Sequence, residues 1–233
     1  MYNTDGKFKF SLDEKSSFAF NIAVAPDSKF YVTTLGHKYV TVYSPQGRFV
    51  SEFSAVSPDG VKSSSEKSSP LLGLAINTQN QLLVGVERWP SKYISIHNLN
   101  SSNLVSHVNS IKAPVRPWYI ASTKHNNIVI SAGASNTSVH VIDINGKPLV
   151  TIDGIPGVDG WSPVGLCVSL NDEICIADDG DKCIHCFSMD GKYLKCLYKG
   201  LQRPRGMVLM DEDKKLLVAE YHSHSVKMLK LTM

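Results

Sequence analysis

The sequence predicts an all-β chain, a β-propeller of four-stranded antiparallel blades, and three observations carry that expectation. A motif recurs along the chain at blade-like intervals, apolar residues within it alternate at period two, and turn formers punctuate it. Anchored on Ile22, Leu74, Ile120, Leu166 and Met207, successive copies lie 52, 46, 46 and 41 residues apart, close to the roughly 40 to 50 residues of a four-stranded blade. A helical repeat would show a 3.6-residue period, which is not visible.

The first copy sets the template with Asn21–Val24, Phe30–Val32, Val40–Val42 and the turn Pro45–Phe49. The second runs through Gly73–Ile76, Leu82–Val84, Ile94–Ile96 and Ser101–Leu104. The third uses Tyr119–Ala121, Ile128–Ile130, Val139–Val141 and Ile144–Lys147. The fourth, Gly165–Val168, Ile174–Ile176, Ile184–Cys186 and Met189–Lys192, is the most regular. The fifth, Gly206–Leu209, Leu216–Val218 and Val226–Met228, stops before a fourth strand. Such short alternating runs between Gly, Asn, Asp and Ser turns are strand and hairpin signals.

Five blades are thus visible. The segment Thr4–Phe10 matches Met189–Leu194, so the N-terminal strand is expected to complete the last blade and remove a free sheet edge. The alternative is a six-bladed parent from which a blade and a half is missing. Residues 1–233 are read as a single domain, with one insertion of its own character at 54–69. There Ser63–Ser69 is Ser-rich and aperiodic, and it is expected to be a mobile polar loop between blades one and two.

Composition bounds the function classes. Hydrophobic residues make up 42% and charged residues 19%, and no apolar run approaches the roughly 20 residues that span a bilayer, so no membrane role is expected. Residues 1–9 lack the apolar segment of a secretory signal. The five cysteines, Cys167, Cys175, Cys183, Cys186 and Cys196, are odd in number and clustered, which reads as reduced core thiols and a cytoplasmic setting. A formal charge of +3 is too mild for a dedicated nucleic-acid binder.

With the repeat written out, the chain resembles the NHL family. Ile174-Cys-Ile-Ala-Asp178, Ile184-His-Cys-Phe187, the Asp-Gly-Lys turn at 190–192 and Arg203-Pro-Arg-Gly206 match its strand grammar. Blades two and three depart from it, carrying Val86 and Ala132 where that grammar ends the second strand on an acid. The resemblance implies a propeller like those at the C-terminus of tripartite-motif proteins, which recruit proteins or RNA to a ubiquitin-ligase assembly. The RING, B-box and coiled coil of those proteins are not in this sequence.

In a propeller, the loops between strands two and three and the connectors between blades share one rim. Four of the five arginines, Arg88, Arg116, Arg203 and Arg205, and all three tryptophans, Trp89, Trp118 and Trp161, map to those loops. Arg and Trp are the residues most enriched at binding hot spots. The expected activity is therefore non-enzymatic: a monomeric module that holds a protein or peptide through these seven residues. The competing structural reading has the tryptophans as core caps between blades. Single-stranded RNA, stacked on the same Trp and Arg side chains, is the alternative ligand. Asp178, Asp179 and Asp181 put negative charge on the same rim, which argues against a uniform phosphate track.

No cofactor is expected and no metal site is assigned. Metal-dependent propeller enzymes of the lyase or lactonase type need ligands converging from several blades, whereas His222 and His224 form the one close His pair and read as a surface loop. Cys183-Ile-His-Cys186 has redox or zinc-knuckle spacing. A strand alternates its faces, so Cys183 and Cys186 are expected on opposite sides, with Ile184 and Cys186 together against a neighbouring blade.

Overall fold

The computed structural model describes residues 11–12, 19–65, 69–100, 105–133, 137–210 and 212–231. Nineteen strands appear among them, with one short 3-10 turn at Ser63–Ser65. The first sheet holds β1 (Ala19–Val24), β2 (Phe30–Thr34), β3 (Tyr39–Tyr43) and β4 (Phe49–Ser54). The second holds β5 (Leu71–Ile76), β6 (Gln81–Arg88), β7 (Ser91–Leu99) and β8 (Val105–Lys112). The third consists of β9 (Tyr119–Ser122), β10 (Ile128–Ser131), β11 (Val139–Ile142) and β12 (Pro148–Ile152). The fourth consists of β13 (Pro163–Val168), β14 (Ile174–Asp178), β15 (Cys183–Phe187) and β16 (Tyr193–Lys199). The fifth shows β17 (Pro204–Met210), β18 (Lys215–Glu220) and β19 (Ser225–Lys230).

Each sheet is an antiparallel meander in chain order, so all five sequence repeats become blade-like sheets. The expected turns sit where the sequence put them: Gly47, Gly146 and Gly191 adopt φ of 81°, 87° and 84°, a left-handed conformation in which a Cβ is costly. The expected closing strand Thr4–Phe10 and the fourth-strand candidate Ser101–Leu104 lie outside the described residues. Among the described residues no helix is long and apolar enough to cross a membrane.

The chain groups into two compact units, residues 1–112 and 113–233. In the first, Val40, Val42, Leu74, Leu82 and Val84 form the main core, from the first two sheets. Part of the 54–69 segment is tied down there. Ser63 is buried and donates its hydroxyl to the Lys38 carbonyl at 2.7 Å, and Val56 bridges to Lys62.

In the second unit the fourth sheet packs on both faces. Leu166, Ile174, Ile176 and Phe187 join Val129, Val139 and Val141 of the third sheet in one cluster. Cys167, Cys175, Ile184 and Cys186 join Leu216, Val218 and Leu229 of the fifth in another. Strands β14 and β15 are therefore buried throughout, and each fully buried aliphatic side chain contributes about 1.5–3 kcal/mol. Cys186 faces the fifth sheet with Ile184 while Cys183 does not, as the alternation of a strand requires. All five cysteines are free thiols.

Gly165 opens the repeat motif for a physical reason. A Cβ there would lie 1.6 Å from the Arg205 carbonyl oxygen, so only glycine lets β17 approach β13. Gly206, at the same repeat position one sheet later, would meet nothing within 4 Å. Gly165→Ala is expected to destabilise the protein by about 3 kcal/mol or more through forced backbone displacement, and Gly206→Ala to stay within about 1 kcal/mol of wild type. Urea unfolding of the two variants side by side checks this, and equal midpoints would refute the close-approach account.

Candidate functional site

The connectors into the fourth and fifth sheets are anchored by one recurring device. At the end of β14, Asp178 accepts backbone N–H bonds from Ser162 and Gly180, both at 2.9 Å. At the end of β18, Glu220 accepts the Gln202 N–H at 2.7 Å. The acid that ends the second strand of the fourth and fifth sheets is thus a backbone anchor. Where Ala132 stands instead, the connector bonds main chain to main chain, Trp118 N–H to the Ser131 carbonyl at 3.1 Å.

On the fifth-sheet anchor sits a pair of arginines around one carboxylate. Arg203, at φ 56°, and Arg205 both pair with Asp179, whose Oδ2 lies 3.2 and 3.0 Å from their Nη2 atoms. Two guanidiniums share one carboxylate, which leaves a net positive charge. Their Cζ atoms stand 5.6 and 5.9 Å from the Tyr221 ring centroid, within cation–π range. Tyr221 is 62% exposed, and its N–H holds the Arg203 carbonyl at 3.0 Å. Burial pushes the hydroxyl pKa of Tyr119 up, with Arg205 and Asp179 acting on it in opposite senses.

The other expected contact residues fare differently. Arg116 stacks on Trp118 at 4.6 Å, and that indole also packs near Gly133. In the first unit Arg88 pairs with Asp59 at 2.9 Å. The Ser57 hydroxyl and Arg88 hold the Asp59 carboxyl at about 2. Trp89, in the two-residue turn between β6 and β7, is 84% exposed. Trp161 is instead a core residue, 7% exposed, edge-on to Phe187 at 5.8 Å, so it forms a wall and not a contact surface. Its burial follows from the connector that Asp178 pins against the turn after β14.

Sequence reasoning passed over a polar cluster beside Trp161. Asp181, Cys183 and His185 bring ligand-type atoms within 4.8 Å of one another. His185 Nε2 is 3.2 Å from Asp181 Oδ2 and 3.8 Å from Asp178 Oδ2. His185 and Cys183 are buried, while the Asp181 side chain is one-third exposed, at 33%. Burial drives the His185 pKa down against the pull of Asp178 and Asp181. Burial, the Asp181 acceptor and Cys196 push the Cys183 thiol up to about 12. The signal was present in the sequence as Asp181-x-Cys-x-His185, a period-two spacing that puts Cys183 and His185 on one strand face with Asp181 in the turn just before it. Attention to the Cys-x-x-Cys spacing hid it.

No family model matches the chain, and no curated protein matches it. Among solved structures it is similar to a protein of unknown function from Bacteroides caccae, at 12% identity over 91% of this chain and 77% of that one, TM-score 0.68. It is also similar to a virginiamycin B lyase from Staphylococcus aureus, at 11% identity over 97% and 88%, TM-score 0.56. A third likeness is to the Dos1 propeller, at 8% identity over 98% and 72%, TM-score 0.61. At such identities the likeness shows the fold alone, and with the five meander sheets it makes the chain a five-bladed β-propeller.

Glu220 supplies a pH test of the anchor. Burial opposes its charge, but hydrogen bonds from Gln202, Lys227, Ser223 and Ser225 outweigh it and hold the carboxyl at about 2, below its ordinary 4.5. A depressed folded-state pKa stabilises the fold above the unfolded value, and that contribution fades as pH falls from 4.5 towards 2. Glu220→Gln is expected to lower stability at neutral pH and to flatten its pH dependence across that window. Urea midpoints of both proteins between about pH 6 and pH 2 measure it, and an unchanged slope would assign the window to other carboxylates.

Proposed function

We propose that the chain is a recognition module that binds an acidic segment of a partner protein or peptide on the loops of its second unit. The observation that carries this reading is the Arg203–Arg205–Asp179–Tyr221 group. It combines an exposed aromatic face with guanidiniums whose positive charge one carboxylate only half balances. Tyr and Arg of this kind supply hot-spot contacts because each buries large area at low entropy cost and adds a directed polar contact. A partner carboxylate would meet the half-exposed edge of Arg203 and an apolar side chain the Tyr221 ring.

Arg116 and Trp118 extend the same kind of surface, while Arg88 and Trp89 form a separate candidate patch in the first unit. Trp161 serves the core. Asp179 half neutralises the two arginines, which leaves charge for a single carboxylate contact and not the run of cations that a phosphate backbone needs, and this favours protein over RNA. The NHL-like grammar supports the same reading, because the tripartite-motif propellers it resembles recruit substrates to ligase assemblies. Five free thiols are in keeping with a reducing, cytoplasmic compartment.

The deciding experiment is a pull-down from cell lysate, with and without nuclease, using wild type and an Arg203→Ala, Tyr221→Ala variant whose unfolding midpoint matches wild type. A nuclease-resistant partner should bind the variant with at least about 2 kcal/mol less affinity, roughly 30-fold in Kd. Equal recovery by both proteins would refute this surface. A partner that vanishes with nuclease would replace the protein reading by RNA.

A further inference from the structure

The fourth and fifth sheets carry the same position in two chemical forms. In the fifth, Glu220 ends β18, and the residues facing it are Ser223, Ser225 and Lys227. All three are donors: the two hydroxyls reach Glu220 Oε2 at 3.0 and 3.1 Å, and Lys227 Nζ lies 3.0 Å from Oε1. In the fourth sheet the register is equivalent, with Asp178 paired to Cys183 as Glu220 is to Ser225. The three facing residues there are Asp181, Cys183 and His185.

The donors have thus been exchanged for metal-ligand types, and the acid they face is left short. Asp178 Oδ2 and His185 Nδ1 are buried with no hydrogen-bond partner among the described residues, and His185 Nε2 meets only the two carboxylates, Asp181 at 3.2 Å and Asp178 at 3.8 Å. Asp178 is fully buried and His185 is 2% exposed. Buried polar atoms normally find partners, and a buried carboxylate beside a second carboxylate calls for positive charge. The sister sheet meets that demand with the Lys227 ammonium.

We infer that Asp181, Cys183 and His185 bind a divalent transition-metal ion of the zinc type, which takes the place that Lys227 fills in the fifth sheet. One carboxylate oxygen, one thiolate sulfur and one imidazole nitrogen are all ligands of zinc, and together they are too soft a set for calcium or magnesium. Asp178 Oδ2 lies 3.8 Å from the same His185 Nε2 that faces Asp181, so it stands on the metal side of the imidazole as a further negative charge for the cation. The partly exposed Asp181 gives the entry side and leaves a coordination position to solvent. Binding expels the Cys183 thiol proton to solvent. This site does not depend on the recognition reading, because metal binding is measured on the chain alone.

The test uses purified chain stripped with a chelator and titrated with Co²⁺, then challenged with Zn²⁺. Wild type should develop a thiolate-to-cobalt charge-transfer band that Zn²⁺ abolishes, and Zn²⁺ should raise its melting temperature. Cys183→Ser should lose the band. Asp181→Asn, a turn residue whose replacement leaves the core intact, should weaken Co²⁺ binding at least as much as the roughly 10–100-fold cost of losing an outer-shell partner. His185→Lys, which copies the fifth sheet, should stay folded and bind no metal. Absence of the band in folded wild type overturns the site, as does a band that persists in Cys183→Ser or an unchanged titration in Asp181→Asn.

Discussion

The arrangement of the second unit's loops depends on a buried carboxylate at the end of a second strand. An ionised acid taken out of water is costly unless donors reach it, and here a backbone N–H group of the incoming connector is among them. Asp178 thereby fixes Ser162 and, next to it, the buried Trp161. Glu220 fixes Gln202, and Gln202 and Arg203 are held further by main-chain bonds to His222 and Tyr221. The positions of the exposed tyrosine and of the arginine stacked on it follow from that one anchor. A surface built this way is rigid before any partner arrives, so little ordering entropy is lost on binding.

The strands were legible because each signal has a local cause. Period-two alternation reflects the pleat, and Asp-Gly-Lys and Gln-Gly-Arg turns reflect the positive φ that hairpins need. The glycine that opens the motif in the second, fourth and fifth copies was visible as repeat grammar, but the purpose of Gly165, a backbone-to-backbone approach, belongs to the packing of one sheet on the next. The loop assignments also followed from topology: Arg88, Trp89, Arg116, Trp118, Trp161 and Arg203 lie in or at the ends of the expected loops and connectors, with Arg205 just inside β17. Their burial did not follow, because it is a property of neighbours. Trp89 occupies a two-residue turn with nothing over it, whereas Trp161 meets Phe187 and His185 from the adjoining strand.

The turn 178–181 brings these threads together. Its carboxylates serve different neighbours: Asp179 faces Arg203 and Arg205, while Asp178 and Asp181 face His185. A side chain that alternates direction along a short turn lets one stretch of backbone serve a surface and an interior at once. Any group that draws Asp181 towards His185 also constrains Asp179, since a single residue separates them, and Asp179 is the carboxylate that sets the charge and pose of the two arginines. The polar position in the middle of each third strand then has a common logic. Thr41, Ser95, His140, His185 and Lys227 all occupy it, each flanked by apolar residues facing the other way. What differs between blades is the residue that faces it, and among the described residues only the fourth combines a buried acid, a thiol and an imidazole there, with no cationic side chain like Lys227 beside them.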